Sequence, residues 1–265
     1  MIRIVALLAC LFGISAQAET MKLAVTTSFH NSGLSEVLLP VILQETGLEV
    51  QLLVVGTGQA LRLGEAGDVD AILVHSRAAE DDFVAKGYAP HRREIMYNDF
   101  VFVGPKQDPA QIANAKDAGD ALTKIAAQKA DFVSRGDDSG THKKESALWQ
   151  AAQLAPDTFG PWYRAVGAGM GASLNIAAGL DAYILADRAS WLNFGNKNGL
   201  ALLFAGDPQL FNQYAYLPID KHRHPHVNAH AAELLEGWLT SATAERLIND
   251  YQINGEALFV FNAVR

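Results

Sequence analysis

The stretch that decides the fold of this chain is Phe132-Val133-Ser134-Arg135-Gly136-Asp137-Asp138-Ser139-Gly140-Thr141-His142-Lys143-Lys144-Glu145. Its order predicts a strand end, a tight loop and the first turn of a helix, because glycines permit sharp turns and Asp138 or Ser139 can cap a helix. A helix start presents unpaired N–H groups and partial positive charge. The hydroxyls of Ser139 and Thr141 and the guanidinium of Arg135 lie beside it. Donors grouped in this way indicate a site for an anion with several oxygens.

Similar junctions elsewhere favour a site over a plain turn, although such a loop is also ordinary turn chemistry. The other strand-to-helix junctions with small hydroxyl residues are Thr26-Thr27-Ser28, Gly56-Thr57-Gly58 and His75-Ser76. Each follows a short apolar run. After Thr26-Thr27-Ser28, the stretch from Ser32 to Glu36 opens a helix that is predicted from Ser35 to about Thr46, and Asp99 to Pro105 is predicted as an apolar strand. Alternating strands and helices predict a parallel α/β sheet, in which ligands lie at the carboxyl ends of the strands.

The composition predicts an exported protein of one large or two small domains. The chain has 265 residues, 49% of them hydrophobic, which is enough for a sizeable core. Residues 1–18 have the pattern of a signal peptide, with an apolar stretch after Arg3 and a signal-peptidase site that ends at Ala18. Lipid attachment at Cys10, the single cysteine, is the weaker alternative. After cleavage the mature chain is expected to have no cysteine and no disulfide.

The net charge argues against several classes of partner. The formal charge at pH 7 is −8, and a protein of this charge is a poor match for nucleic acid or for anionic membranes. Long-range attraction would not bring an anion to such a protein. We therefore expect that any bound anion is held by local donors.

Several motifs together resemble the periplasmic tungstate-binding proteins of ABC importers. They are Thr26-Thr27-Ser28, Met96 to Pro105, Ser134 to Glu145 and Gly169-Met170-Gly171. The resemblance covers essentially the whole mature chain, and the long central motif is its specific part. Val25 departs from the pattern, since the family often has a third threonine there.

The resemblance implies an α/β, two-lobed type II periplasmic binding protein. Each lobe would be a mostly parallel sheet flanked by helices, and the ligand would bind in the cleft between the lobes. Lobe one would comprise residues 19–103 and 214–265, and lobe two residues 104–213. The implied function is periplasmic capture of tungstate or molybdate and delivery to the membrane permease of an ABC importer. The implied protein is a monomer without catalytic activity or cofactor, and it holds the oxyanion's metal only through the oxygens.

The chemistry of such a ligand selects the candidate residues. A tetrahedral dianion without a proton requires hydrogen-bond donors, and an inward carboxylate would repel it. The predicted ligand-binding residues are Thr27, Ser28, Thr57, Ser76, Arg135, Ser139, Thr141 and the N–H groups of Met170 and Gly171. Thr57 and Ser76 have an equal interpretation as a helix cap and a strand-end hydroxyl. Tungstate and molybdate are too alike to be ranked, whereas phosphate would need an acceptor such as Asp137.

Other functions are compatible with parts of the sequence. The first alternative is a phosphate- or other oxyanion-binding protein, because the run from Arg135 to Thr141 is similar to the anion loop of phosphate-binding proteins. Ser139 and His142 with Asp137 or Asp138 could form the nucleophile set of a secreted hydrolase, but residues so close near one helix start rarely reach that geometry. The histidines His222, His224, His226 and His230 could ligate zinc or copper. We favour a polar loop before the last helices for these histidines, and we expect no resident metal.

Overall fold

The computed structural model describes residues 19–137 and 139–264. The predicted signal peptide, the cleavage site after Ala18, the lipid alternative at Cys10 and the capping option at Asp138 lie outside the described residues. Within the described ranges, no helix is long and apolar enough to cross a membrane.

Strands and helices alternate along the chain, as the sequence predicts. The strands are β1 (Glu19–Thr26), β2 (Leu48–Val55), β3 (Ala71–Val74), β4 (Arg93–Pro105), β5 (Phe132–Ser134), β6 (Tyr163–Ala165), β7 (Tyr183–Asp187), β8 (Leu200–Phe204), β9 (Phe211–Pro218), β10 (Gln252–Ile253), β11 (Glu256–Ala257) and β12 (Val260–Phe261). The helices are α1 (Thr27–Asn31), α2 (Leu34–Thr46), α3 (Thr57–Ala66), α4 (Arg77–Ala85), α5 (Ala118–Gln128), α6 (Gly140–Ala151), α7 (Met170–Leu180), α8 (Arg188–Asn193), α9 (Ala229–Leu239) and α10 (Ala242–Asn249). Short 3-10 turns occupy Ile112–Asn114, Pro156–Thr158 and Pro208–Leu210.

The large sheet has the strand order β2-β1-β3-β9-β4-β7-β5-β6, and β8 and β12 also pair with β4. Strand β1 is parallel to β2 and β3, and β5 is parallel to β6 and β7. The pairs formed by β4 and β9 are antiparallel. The register places Thr26 opposite Val55 and Val25 opposite Leu73, so the ends of β1, β2 and β3 meet at one edge. The predicted α/β class is confirmed.

Strand β4 contributes to both halves of the sheet. Its residues 93–99 pair with β9, whereas residues 100–105 pair with β7 and β8. Strand β9 pairs with β4 from Phe211 onward. The lobe boundaries stay a prediction, and this pairing supports crossings near residues 99–100 and just before residue 211. These positions lie a few residues from those expected from the sequence.

Some elements differ from the sequence expectation. Helix α1 forms directly after β1 because the Thr26 hydroxyl accepts a hydrogen bond from the Phe29 N–H and caps it. Strand β4 begins at Arg93 rather than Asp99, since its start carries charged residues that form ion pairs and interrupt the apolar pattern. Strand β8, short and only half-buried beyond its first residue, was not predicted.

Aromatic residues form one packed cluster in lobe two. Trp149 is fully buried, and its ring centroid lies 5.3 Å from that of Phe132 and 5.1 Å from that of Phe159. Trp162 and Tyr163 pack edge-on against Trp149. Because Phe132 is on β5 and Trp149 on α6, this cluster fixes the two elements that flank the predicted anion loop.

A paired charge lies where β4 passes from one half to the other. Arg188, the first residue of α8, donates from Nε and Nη2 to the two carboxylate oxygens of Asp99, each at 2.6 Å. The side chains of this pair are only 20% and 12% exposed. Removing one partner of a bidentate pair shielded from water costs more stability than removing one partner of an exposed pair, because the remaining charge stays buried.

Replacing Arg188→Met should therefore lower the free energy of unfolding by about 3 kcal/mol, since Asp99 is left without its cation. Arg77→Met is the matched control. It breaks the exposed Arg77–Asp81 pair, and its effect should stay below about 1 kcal/mol. Urea unfolding of both variants measures the difference, and equal losses would contradict the special role of the Asp99 pair.

Candidate functional site

The loop between β5 and α6 is organised around Arg135. Its Nη2 donates to the carboxylate of Asp137, its Nη1 to Thr141 Oγ1 at 3.4 Å, and its Nε to the Ala168 carbonyl at 3.4 Å. Ser139 caps α6, because its Oγ accepts from the His142 backbone N–H at 3.3 Å. Thr141 is buried in the first turn of α6. Arg135, Ser139 and Thr141 therefore lie together, as the sequence predicts.

A second helix start lies beside this loop. The N–H of Val166 donates to the Ser134 carbonyl and that of Ala168 to the Arg135 carbonyl. These bonds hold the turn before α7 against the Arg135 loop, so the N-terminal residues Met170 and Gly171 come close to it. Gly136 permits the approach, since its φ is +60° and an added Cβ would lie 2.9 Å from the Ala165 Cβ.

Ser28 lies at the centre of a cluster of polar side chains in lobe one. Its Oγ lies 3.0 Å from Thr26 Oγ1, 3.0 Å from His75 Nε2 and 3.2 Å from Tyr214 Oη. Thr26 and Tyr214 are buried, whereas Thr27 is exposed at the first position of α1. Ser28 is thus held by groups from β1, β9 and the end of β3.

A cavity of about 300 Å³ joins the two sides. It is lined by Ser28 and Asn31 from α1, by Gly171 from α7, and by a lobe-two wall of Asp187, Ala189, Ser190, Asn193, Phe194 and Gly195. The two lobes also approach each other at His75, where a Cβ added to Gly140 would lie 3.0 Å from Cε1 of the ring. Residues from both lobes therefore line one space. Of the predicted ligand-binding residues, only Ser28 and Gly171 are among those that line it, and Arg135, Ser139 and Thr141 are not.

Thr57 and Ser76 occupy less central positions. Thr57 is the first residue of α3, and Ser76 precedes α4 without a side-chain cap. The backbone N–H of Ser76 donates to Glu80 Oε1 at 2.6 Å. Both side chains are partly exposed at the sheet edge that carries Ser28. Their contact with a ligand stays a prediction.

Several residues of the site were not among the predicted ligand-binding residues: Thr26, His75, Asp187 and Tyr214. Thr26 had a readable signal, since a threonine before a helix is a typical cap. For His75, the sequence indicated only a position at the end of a strand. Tyr214 comes from β9, 186 positions beyond Ser28, so local sequence offers no signal for this contact.

Burial and neighbours adjust the charges around the site. Burial lowers the pKa of His75 to about 4, with a smaller contribution from the charge of Lys144, although hydrogen bonds oppose the shift. The ring is therefore neutral at pH 7. Burial disfavours the Asp137 carboxylate, but hydrogen bonds from Ser139 and the charge of Arg135 outweigh it and lower the pKa of Asp137. The loop thus contains a charge-compensated pair rather than a free cation.

The hydrolase alternative depends on the positions of Ser139 and His142. Ser139 Oγ contacts the backbone of His142 as a cap, and the His142 side chain lines a different cavity of about 590 Å³ with Ser146 and Gln150. Ser139 Oγ is thus engaged as a helix cap, and Asp138, one of the two acids in the hydrolase alternative, lies outside the described residues.

The histidines before α9 make contacts of their own. His226 Nε2 donates to the Gly67 carbonyl at 2.9 Å, and the His224 ring packs against Gly67. In residues 19–137 and 139–264, no group of three or more His, Cys, Asp or Glu side chains is arranged to hold a metal ion.

A buried carboxyl supports the anion loop from behind. Glu145 on α6 is 2% exposed and accepts hydrogen bonds from Tyr163 Oη at 2.8 Å and Trp149 Nε1 at 3.1 Å. Burial raises its pKa to about 7 from 4.5, against the opposing effect of these hydrogen bonds. Glu145 thus joins the first turns of α6 to the aromatic cluster of lobe two.

Comparison with known proteins adds independent findings. The model of the PBP superfamily domain matches residues 13–245. The tungstate-binding protein TupA of Peptoclostridium acidaminophilum is 44% identical over 247 residues, which span 92% of this chain and 86% of that protein. The solved structure of the tungstate-binding protein TupA from Desulfovibrio alaskensis G20 has a TM-score of 0.89 and 40% identity, covering 93% of this chain and 100% of that one. The tungstate ABC transporter structure from Geobacter sulfurreducens has a TM-score of 0.78 and 46% identity, covering 88% and 99%.

The raised pKa of Glu145 predicts a specific pH dependence of stability. Between about pH 4.5 and 7 the folded protein retains a proton that the unfolded chain has lost, so its free energy of unfolding should fall as pH rises. Glu145→Gln should remove this component. In urea unfolding, the free energy of unfolding of the variant relative to the wild type should therefore be higher at pH 8 than at pH 5. The opposite dependence caused by His75 is common to both proteins and cancels. An unchanged difference at the two pH values would contradict the assignment.

Proposed function

Because this chain belongs to the family of TupA tungstate-binding proteins, within the PBP superfamily, we propose that it captures tungstate in the cleft between its lobes. It then delivers the oxyanion to the membrane permease of an ABC importer. It is a solute-binding protein with the two-lobed type II fold, and its relatives are binding proteins rather than enzymes. It acts in the periplasm as a monomer after cleavage at Ala18, and it needs no cofactor.

The observation that carries the proposal is the cavity that Ser28 and Gly171 line from opposite lobes. Gly171 places the N-terminal end of α7, with its backbone N–H groups and partial positive charge, at this cavity. We propose that the start of α6, which carries Ser139 and Thr141, faces the same oxyanion from lobe two. Among the described residues, Asp187 lines the cavity and accepts from the Ser190 N–H, and Asp137 of the loop before α6 accepts from Arg135 and Ser139. A ligand that only accepts hydrogen bonds fits this set of donors.

The contacts of Arg135 give its neighbour a defined role. Thr141 Oγ1 accepts from Arg135, so the hydroxyl hydrogen of Thr141 is left to donate in another direction. We place that hydrogen, together with N–H groups of Arg135 and the first turn of α6, toward one face of the oxyanion. Ser28 and the start of α1 serve the opposite face. Thr27, Thr57 and Ser76 complete the predicted set from lobe one.

The same donors favour tungstate and molybdate over phosphate. Phosphate usually carries a proton at neutral pH, and that proton needs an acceptor. Asp137 would have to provide one with an oxygen that already accepts from Arg135 or from the Ser139 N–H. Tungstate and molybdate need no such acceptor, and their order of affinity is a matter for measurement.

Calorimetric titration tests the ligand. The purified protein should bind tungstate or molybdate with one site per chain, and either oxyanion should raise the melting temperature in a concentration-dependent way. Sulfate and phosphate should bind much more weakly. A clear melting shift with phosphate or an amino acid, and none with tungstate or molybdate, would overturn the proposal.

The role of Arg135 is tested by three variants. Direct contact with the oxyanion predicts that Arg135→Ala weakens binding by about 2–5 kcal/mol, because the anion is left underpaired. Arg135→Lys should lose less, since it keeps the charge but not the fork of donors. Asp137→Asn breaks the ion pair yet leaves the guanidinium in place, and it should cost less than Arg135→Ala.

The melting temperature of the ligand-free variants provides the control. If Arg135 only shapes the loop, Arg135→Ala and Asp137→Asn should both lower this temperature, and Arg135→Ala should keep nearly wild-type affinity for tungstate. Near-wild-type affinity would therefore exclude direct contact.

A further inference from the structure

We propose that His75 is a positioning residue that couples oxyanion binding to lobe closure. Its Nε2 holds the Ser28 hydroxyl, and Cε1 of the same ring packs against Gly140 of the other lobe. This inference rests on the proposed function, because the anion at Ser28 is the ligand whose binding it would link to closure.

The ring has a fixed place in lobe one. His75 follows β3 directly, and the pairing of Val74 with Ala215 brings it beside Tyr214 on β9. The ring centroids of His75 and Tyr214 are 4.8 Å apart. Nε2 of His75 and Oη of Tyr214 both lie within hydrogen-bond distance of Ser28 Oγ. His75 and Tyr214, together with Thr26, therefore determine the position of the Ser28 hydroxyl.

The ring is also connected to the strands that cross between the lobes. The Asn212 side chain lies beside His75 and interacts with it. Asn212 Nδ2 in turn donates to Asn98 Oδ1 at 2.8 Å, and both asparagines are buried. These two residues face each other on β9 and β4, next to the point where β4 changes partners. A shift of these strands during closure would be transmitted to the ring.

The opposite lobe meets the ring at a residue without a side chain. Gly140 is the first residue of α6, and an added Cβ would lie 3.0 Å from Cε1 and 3.7 Å from Nδ1 of His75. A side chain at position 140 would press on the ring, which would have to shift by a few tenths of an ångström, so glycine here favours the close approach of the helix start that carries Ser139 and Thr141. Closure on the anion and contact with His75 are thus the same movement.

The ring performs this role as a neutral group. The start of α6 carries partial positive charge, and Lys144 lies further along the same helix. A cationic ring would repel this helix start, whereas the neutral imidazole can pack against Gly140 and still bond to Ser28. Contact with Gly140 and hydrogen bonding to Ser28 are therefore sufficient for this role at constant pH.

A double-mutant cycle tests the coupling between the two lobes. The variants are Gly140→Ala, His75→Ala and the double variant, each titrated with sodium tungstate. Gly140→Ala alone should weaken binding about tenfold, and in the His75→Ala background it should have almost no effect, because contacting residues are not additive. Small-angle scattering should show less compaction with tungstate in Gly140→Ala than in the wild type.

Two controls separate closure from stability. Gly179→Ala places the same methyl group in α7, where nothing lies within 4 Å, and it should leave tungstate affinity unchanged. Alanine favours helices over glycine, so the melting temperature of ligand-free Gly140→Ala should not fall. His75→Gln keeps an amide that can reach Ser28 and should lose less affinity than His75→Ala. If His75→Ala does not fold, the cycle is run with His75→Gln.

The outcomes are distinct. If the wild type binds tungstate but Gly140→Ala has no effect, or loses the same factor in both backgrounds, the coupling through His75 is wrong and the proposed function stands. If the wild type binds another oxyanion instead, the cycle is measured with that anion. If it binds none of tungstate, molybdate, sulfate and phosphate, the proposed function fails and the inference falls with it.

Discussion

A dianion without protons can be held in a shielded cleft only by hydrogen-bond donors, and this requirement explains much of the candidate site. Three helix starts supply N–H groups without adding full charges. The guanidinium of Arg135 is balanced by Asp137, and the His75 ring stays neutral because burial lowers its pKa. Local hydrogen-bond donors, rather than net charge, therefore explain how a chain with a formal charge of −8 can bind an anion. The rigid support under the loop, from Trp149 and Glu145, keeps these donors aimed in advance of binding.

The sequence predicted the parts of the molecule that depend on local patterns. The α/β class, the strand ends and the grouping of Arg135, Ser139 and Thr141 all follow from short motifs that fold as written. Tyr214 and Asp187 were not predicted as site residues, because they reach the cleft only through long-range strand pairing. Helix α1 was missed because its formation depends on one capping hydroxyl rather than on an apolar period. The start of β4 was hidden by charges that its partners neutralise.

The region behind the cleft limits the ways in which the lobes can move. One apolar cluster contains Val101, Ile184 and Trp191 from the lobe-two side and Phe29, Leu34 and Leu258 from the lobe-one side. Because packed interiors resist deformation, a large separation of the lobes at this end would expose that cluster. A rotation about the crossings in β4 and before β9 would open the front of the cleft with less disturbance. The shielded Asp99–Arg188 pair lies close to such an axis and fits this type of motion.

Strand β4 packs into two hydrophobic cores, and this limits insertions and deletions within it. Along residues 100–103, Phe100 and Phe102 pack into the aromatic core of lobe two, whereas Val101 and Val103 pack into the core behind the cleft. Deleting or inserting one codon here would exchange the two sets, placing phenylalanine where valine fits and valine where phenylalanine fits. The exposed turn at Gly206 has nothing within 4 Å of an added Cβ and should tolerate length changes far better. Homologous proteins should therefore keep the number of residues in β4 constant, whereas the length of the turn that follows β8 should vary more.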